Sequence, residues 1–327
     1  MIAITSCFDL IRIDFLHGVI TMQVMMIGGK GSGKTTFMAG MYKKMTEESK
    51  FSIEIFDSEK RQKLEELGEK LIRGGYPAPN DFAQTYDFYL KAEGSYLFPF
   101  GWYDYRGGII TTYNPNDPEA QEFDTKCKNC DAMIVFIDST MLLDSGFNRY
   151  WRQMKETIER FACTAAAHNH KTLSIVLTKC DEDMGYDISL SRVWEQIFSF
   201  VDELREYEYI HGLVAGTHIN RNIIFPVDKV FMWTMRLNFL KQCQACSSSA
   251  AIARWQSFSH NPSLETFFGA VGRVMNGETP KWVVAENQAA QAEKLRTHFN
   301  NLETTFGEKT KKGYRENFIK GSGYIRF

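Results

Sequence analysis

The sequence predicts an α/β fold: a mostly parallel sheet between two layers of helices, with one antiparallel edge strand and a helical extension towards the C-terminal end. Three observations carry that prediction. Short apolar, β-rich runs at 22–27, 132–137, 173–177 and 223–227 recur between helical stretches, the rhythm of strands covered on both faces. The run 86–90 differs, because Tyr86, Phe88 and Leu90 alternate with Asp87 and Tyr89, the period of a half-exposed strand at an edge. A glycine-rich stretch, GGKGSG at 28–33, joins the first apolar run to a helix-forming one.

The elements follow in order along the 327 residues, a length that can bury a substantial core. Residues 1–20 are apolar but broken by Asp9, Arg12, Asp14 and His17, and are expected to form a leader or an extra strand before a domain over 21–277. After the strand at 22–27, Phe37, Met38, Met41, Tyr42 and Met45 give the next helix its apolar face. Residues 57–73, DSEKRQKLEELGEKLIR, open with a capping Asp-Ser pair, continue in helix formers and stop at Gly74-Gly75, which predicts an inserted helix. Glu93, Gly94 and Ser95 predict a turn from 86–90 into 96–102, where Pro99 removes a ladder donor and marks a bulge. Leu264, Phe267, Phe268, Val271, Val274 and Met275 fall at helical spacing and read as the core face of the domain's last helix. The extension, 278–327, carries a thin stripe of Ala289, Ala292, Leu295, Phe299 and Leu302 and then a basic tail from Glu308 to Phe327. It either docks on its own domain or meets a partner or lipid.

Composition narrows the partners. Lys+Arg of 38 against Asp+Glu of 40 gives a net charge of −2, so no overall excess of positive charge points to nucleic acid. No apolar run is long enough for a membrane span. Seven scattered cysteines, without a recognisable secretory leader, read as reduced thiols in a cytoplasmic protein. Cys127-x-x-Cys130 and Cys243-x-x-Cys246 stand more than 110 residues apart, far from the spacing of a zinc ribbon or finger. His168 and His170 read as loop histidines, and no Ser-His-Asp or paired-carboxylate arrangement stands out.

Gly28-Gly29-Lys30-Gly31-Ser32-Gly33-Lys34-Thr35 fits G-x-x-x-x-G-K-[ST] in full, after a buried strand and before a helix. The glycines let backbone N–H groups, through Thr36, turn towards phosphates, and the helix N-terminus adds partial positive charge. Lys34 reaches the outer phosphates, and the Thr35 hydroxyl can ligate Mg²⁺. Downstream, Asp104-Tyr105-Arg106-Gly107 follows an apolar run; it puts a carboxylate near the Mg²⁺ and a glycine N–H within reach of the γ-phosphate. Thr178-Lys179-Cys180-Asp181 closes the run 173–177 at the end where ligands sit on such sheets. There Asp181 can accept two N–H bonds from guanine, with the Lys179 stem along the face of the base.

In this order the motifs GGKGSGKT, DYRG and TKCD resemble those of the Ras-like, translation-factor-related class of P-loop GTPases, over about 21–275. The resemblance implies a P-loop three-layer fold, binding of GTP and GDP with Mg²⁺, hydrolysis of GTP to GDP, and a molecular switch with a protein effector or a second GTPase as partner. Thr85, 19 residues before Asp104, matches the family's first switch threonine, so Lys34, Thr85 and Gly107 take the catalytic positions and Thr35, Thr85 and Asp104 those around the metal. The long loop LIRGGYPAPNDFAQT and the inserted helix resemble bacterial double-GTPase domains. Pro226-Val227-Asp228 stands where a fifth, base-contacting motif is expected but lacks its usual Ser-Ala. Gly108 stands where the family often has a water-orienting glutamine, which implies slow hydrolysis or a group supplied by a partner, with Arg73 and Arg106 as internal candidates for an arginine finger. Two other readings stay open: a P-loop ATPase in which Asp138 is the acidic Mg²⁺ partner, and a nucleotide-binding scaffold with little turnover.

Overall fold

The computed structural model describes residues 22–47, 50–77, 83–105, 109, 114–143, 146–167, 169–180, 188–220, 223–225, 227–258, 281–306 and 324–326. The expected leader at 1–20 and helical stripe at 264–275 lie outside them.

Strand β1 (Met22–Gly28) reads MQVMMIG and is buried at every position but Gln23, as a strand with parallel neighbours on both sides must be. A glycine-rich turn leads into α1 (Lys34–Glu47). The short β2 (Phe51–Glu54) precedes α2 (Ser58–Ile72), the inserted helix. The Asp57 carboxylate caps α2 by accepting the N–H groups of Glu59 and Lys60 at 3.0 Å each, and Gly74 takes a φ of +82° just past its end. The hairpin β3 (Gln84–Ala92) and β4 (Ser95–Asp104) follows, then α3 (Pro118–Asn129), β5 (Ala132–Asp138) with a 3₁₀ turn (Ser139–Leu143), α4 (Phe147–Ala162) and β6 (Lys171–Thr178). The remaining elements are α5 (Ile188–Leu204), β7 (Ile210–Gly216), β8 (His218–Asn220), β9 (Ile223–Phe225), α6 (Val227–Phe258), α7 (Lys281–Phe306) and β10 (Tyr324–Arg326).

Among the described residues the main sheet runs β10-β7-β6-β5-β1-β4-β3-β2. Its centre, β4-β1-β5-β6-β7, is parallel, while β3 runs antiparallel to β4, β2 to β3 and β10 to β7. Helix α1 and the start of α6 cover one face, and α3, α4 and α5 the other.

Three details depart from the sequence reading. The expected edge strand, β3, lies one place in, because β2 pairs along its outer side. The fifth parallel strand is β7, IHGLVAG, whose two glycines and histidine dilute its apolar signal, while the run at 223–227 supplies β9, which among the described residues pairs with β8 outside the main sheet. The hairpin's register slips between Leu90 and Lys91 rather than at Pro99, which pairs in register with Tyr89. The pairing of β1 with β4 begins at Phe100, so the missing N–H of Pro99 costs no bond to β1.

By its contacts the chain forms two units, 21–235 with 306–327, and 1–20 with 236–305. The first holds the sheet. In the second, Ala292, Leu295 and Leu302 of the α7 stripe are buried and Ala289 and Phe299 half-buried, and His298 is buried too, its ring 5.9 Å from that of Phe239. Among the described residues no helix is long and apolar enough to cross a membrane.

An aromatic stack stiffens the sheet where β3 and β4 pair beside the first half of β1. Phe88 is fully buried, stacks on Phe100 at 5.1 Å and meets Trp102 edge-on at 6.1 Å, and Trp102 stacks on Phe231 at 6.0 Å. Phe88→Ala empties a closed site and is expected to cost about 3–5 kcal/mol, read as a lowered urea midpoint; a loss under about 1 kcal/mol would show that the stack does not support the hairpin.

Candidate functional site

The carboxyl ends of β1, β4, β5 and β6 meet at the turn between β1 and α1. Gly31 and Gly33 have φ of +76° and +85°, conformations that a side chain disfavours. At Gly28 it is space that selects glycine: a Cβ would stand 2.5 Å from Ser32 Oγ and 2.7 Å from the Phe136 carbonyl oxygen. The turn closes with Ser32 N–H donating to Gly29 O at 3.2 Å, and α1 starts with Phe37 N–H on Gly33 O at 2.8 Å. Lys30 is exposed and Thr36 half-buried.

The Lys34 ammonium is folded back into this turn and donates to the carbonyls of Gly28 at 3.0 Å and Gly29 at 3.1 Å. Burial lowers its pKa, and the nearby Asp104 carboxylate partly opposes that. Thr35 Oγ1 lies 3.5 Å from Asp104 Oδ2, and Asp104 is 1% exposed at the end of β4. A hydroxyl and a carboxylate are the hard oxygen donors that suit Mg²⁺, so this pair fits that ion. Asp138 is engaged elsewhere. Its Oδ2 accepts from Lys179 Nζ at 2.5 Å, and its Oδ1 from Thr140 N and Oγ1 at 3.0 and 2.6 Å. The carboxylate beside Thr35 is therefore Asp104.

At the end of β6, Thr178 Oγ1 donates to Ser32 O at 2.9 Å, which ties the TKCD segment directly to the glycine turn. Lys179 takes a φ of +58°, unusual for a residue with a side chain, and Ser139 Oγ donates to its carbonyl at 3.0 Å. Cys180 N–H donates to Thr217 O at 3.1 Å, so the segment after the last parallel strand reaches TKCD at Thr217. Of the expected fifth motif, Val227 and Asp228 are placed elsewhere. Val227 and Asp228 open α6, and Asp228 pairs with Lys44 at 3.1 Å.

The structure does not bring Thr85 to this cluster. Thr85 lies opposite Tyr103 in the hairpin, while Asp104 lies opposite Gln84. Paired residues share a face and neighbours alternate, so Thr85 stands on the other face from Asp104. It is exposed, and its carbonyl accepts from Lys60 Nζ of the inserted helix at 2.9 Å. Arg73 is exposed at the end of α2. Arg106, Gly107, Gly108, Asp181 and Pro226 lie outside the described residues.

A family profile described as Double-GTPase 2 matches residues 23–208, more than half of the chain. The chain belongs to the Double-GTPase 2 family. No curated protein matches it. Among solved structures it is similar to the Arl6 (BBS3) small GTPase of Trypanosoma brucei with bound GppNp, at 13% identity and a TM-score of 0.38, covering 67% of this chain and 98% of that one. It is also similar to the SRβ-GTP/SRX complex of the signal recognition particle receptor from Chaetomium thermophilum, at 14% identity, TM-score 0.39 and coverage of 66% and 97%. A third is the Sar1-type small COPII coat GTPase of Encephalitozoon cuniculi with GDP, at 9% identity, TM-score 0.32 and coverage of 74% and 96%.

In this Double-GTPase 2 domain, three site residues escape a motif search. Tyr150 of α4 reaches the glycine turn, its hydroxyl accepting from Gly29 N–H at 2.8 Å and standing 3.3 Å from the Phe136 carbonyl. Its one sequence signal is a polar tip on the apolar stripe Phe147, Tyr150, Trp151 and Met154. Ser139 and Thr217 act through a hydroxyl and a carbonyl that any loop residue of their type carries. The Cys127 and Cys130 thiols are buried in the core beside α3; burial pushes Cys127 up to about 12 and Cys130 upward too, and each donates to a backbone carbonyl.

Proposed function

We propose that this Double-GTPase 2 domain binds GTP and GDP with Mg²⁺ in the turn after β1, hydrolyses GTP to GDP, and acts as a nucleotide-dependent switch in the cytoplasm for a protein effector or a second GTPase. The observation that carries the reading is the Thr178–Ser32 bond of 2.9 Å. Through it the glycine turn and the TKCD segment stand side by side at the carboxyl end of the sheet, which supports one ligand reaching from the first to the second. Family membership supports guanine as its base.

Each residue then has a task. The N–H groups of 30, 31 and 33–36, with the start of α1, face the phosphates, while those of Gly29 and Ser32 hold the turn itself. Lys34, released from the two carbonyls, meets the outer phosphates, and Gly107 N–H meets the γ-phosphate. Thr35 and Asp104 hold Mg²⁺, which when bound neutralises charge developing on the β- and γ-oxygens. Asp181 accepts from guanine, and Lys179 lies along the base while Asp138 steadies its ammonium. Thr85, as the switch threonine, joins this cluster only when the start of β3 detaches and Lys60 lets go of its carbonyl, so the inserted helix opposes the switched state. With Gly108 in place of a glutamine, turnover is slow until Arg73, Arg106 or a partner supplies a group.

Equilibrium titration with fluorescent GTP and ATP, followed by steady-state phosphate release, tests this. GTP is expected to bind at least a hundredfold more tightly than ATP, with slow Mg²⁺-dependent release. Equal affinities would overturn the guanine assignment, and tight GTP binding without release would leave a scaffold in place of a switch.

A further inference from the structure

We propose that Tyr150 is a positioning residue for the phosphate turn, holding the peptide between Gly28 and Gly29 in its ligand-competent orientation from the opposite helix layer. The inference rests on the nucleotide-binding reading above and deepens it. That peptide is held at both ends: its carbonyl, on Gly28, accepts from Lys34 Nζ at 3.0 Å, and its N–H, on Gly29, donates to Tyr150 Oη at 2.8 Å. The tyrosine hydroxyl lies in turn 3.3 Å from Phe136 O at the end of β5 and donates there. A chain of buried bonds therefore runs from β5 through α4 to the carbonyl that parks Lys34.

Core packing does not account for this hydroxyl. Phe147, Trp151, Met154 and Ile158 already give α4 a buried face, and a phenylalanine would fill the ring's place. A buried hydroxyl is retained without cost only where it has partners, and here both partners are backbone atoms of the site. Burial also pushes its pKa upward, so the group stays a neutral hydroxyl able to accept and donate at once. Space makes the contact specific: a Cβ added at Gly29 would meet Tyr150 Cε2 at 3.3 Å, so the ring lies against the turn as well as bonding to it.

Without the hydroxyl, the Gly29 N–H would face an apolar ring with no acceptor. The peptide would then turn to find water or another carbonyl, and the turn would spend most of its time in an arrangement that does not receive phosphate. The apparent dissociation constant rises as the competent fraction falls. An unsatisfied buried donor disfavours its conformation by about tenfold or more, which sets the size of the effect.

The test is Tyr150→Phe in the full chain. GTP and GDP should each bind about tenfold more weakly, with the ratio of GTP to ATP affinity unchanged, because the TKCD segment is untouched. Amide exchange at 28–33 without nucleotide should speed up by a similar factor while exchange in β5 and β6 stays the same. A thermal midpoint that drops with nucleotide affinity and exchange at 28–33 both unchanged would reduce Tyr150 to a packing residue and overturn the proposal. A second measurement needs no variant: the wild-type Gly29 amide should be protected, and exchange at the rate of an open loop would overturn the proposal equally. If wild type binds neither nucleotide, yet Gly29 is protected and Tyr150→Phe loosens 28–33, the bracing stands and the GTP reading falls.

Discussion

Lys34→Ala lowers the affinity for GTP with Mg²⁺ by two decades or more and leaves the fold intact. Charge-assisted hydrogen bonds contribute about 1.5–3 kcal/mol each, and every 1.4 kcal/mol is roughly tenfold in binding. The ammonium sits in a turn that burial has partly stripped of water, where such bonds are at the strong end. In the free protein the same ammonium bonds only two backbone carbonyls. Its hydrogen-bond partners belong to the turn and not to the core, so circular dichroism should change little. Retained affinity in a folded Lys34→Ala variant would show that the turn is not where phosphate binds.

Asp181→Ala abolishes the preference for guanine. Loss of two charge-assisted bonds to the base predicts a fall of roughly two to four decades in GTP affinity, with ATP affinity barely altered. The segment that carries Asp181 is braced from three sides, by Thr178 on Ser32, Ser139 on the Lys179 carbonyl and Cys180 on Thr217. The geometry upstream of residue 181 therefore does not depend on the aspartate, and the loss should be confined to the base. Competition titration of GDP against ADP measures it; a variant that still prefers GDP a hundredfold would move guanine recognition elsewhere.

What was legible in the sequence follows from how each signal arises. The turn at 28–35 is fixed by local sterics: Gly28 by two atoms closer than 3 Å to any Cβ, Gly31 and Gly33 by positive φ. Such demands act on single residues and leave a readable pattern. Strands β1, β5 and β6 are covered on both faces and read as unbroken apolar runs. Strand β7 is buried as well, yet Gly212 and Gly216 lower its apolar content, and pairing with β6 rather than composition decides its state. Register was not legible at Thr85. The interval to Asp104 suits a switch threonine, but the pairing of Gln84 with Asp104 puts Thr85 on the other face, and a one-residue offset of this kind is invisible until the partner strand is known. The bonds from Tyr150 and Thr178 into the turn span 121 and 146 positions of sequence, and only the folded chain brings such partners together.

The chain leaves the main sheet at the end of β7 and comes back to it as β10, which pairs with β7 along Tyr324–Arg326. The stretch between is thus a closed loop with both ends anchored in one sheet. The entropy of closing such a loop grows only with the logarithm of its length, about 0.6 kcal/mol for each doubling. Lineages could therefore lengthen, trim or replace that stretch at little cost to the strands, provided the returning strand is kept. Variation in length should collect there, while the turn at 28–35, which a single added methyl group would disrupt, is held still.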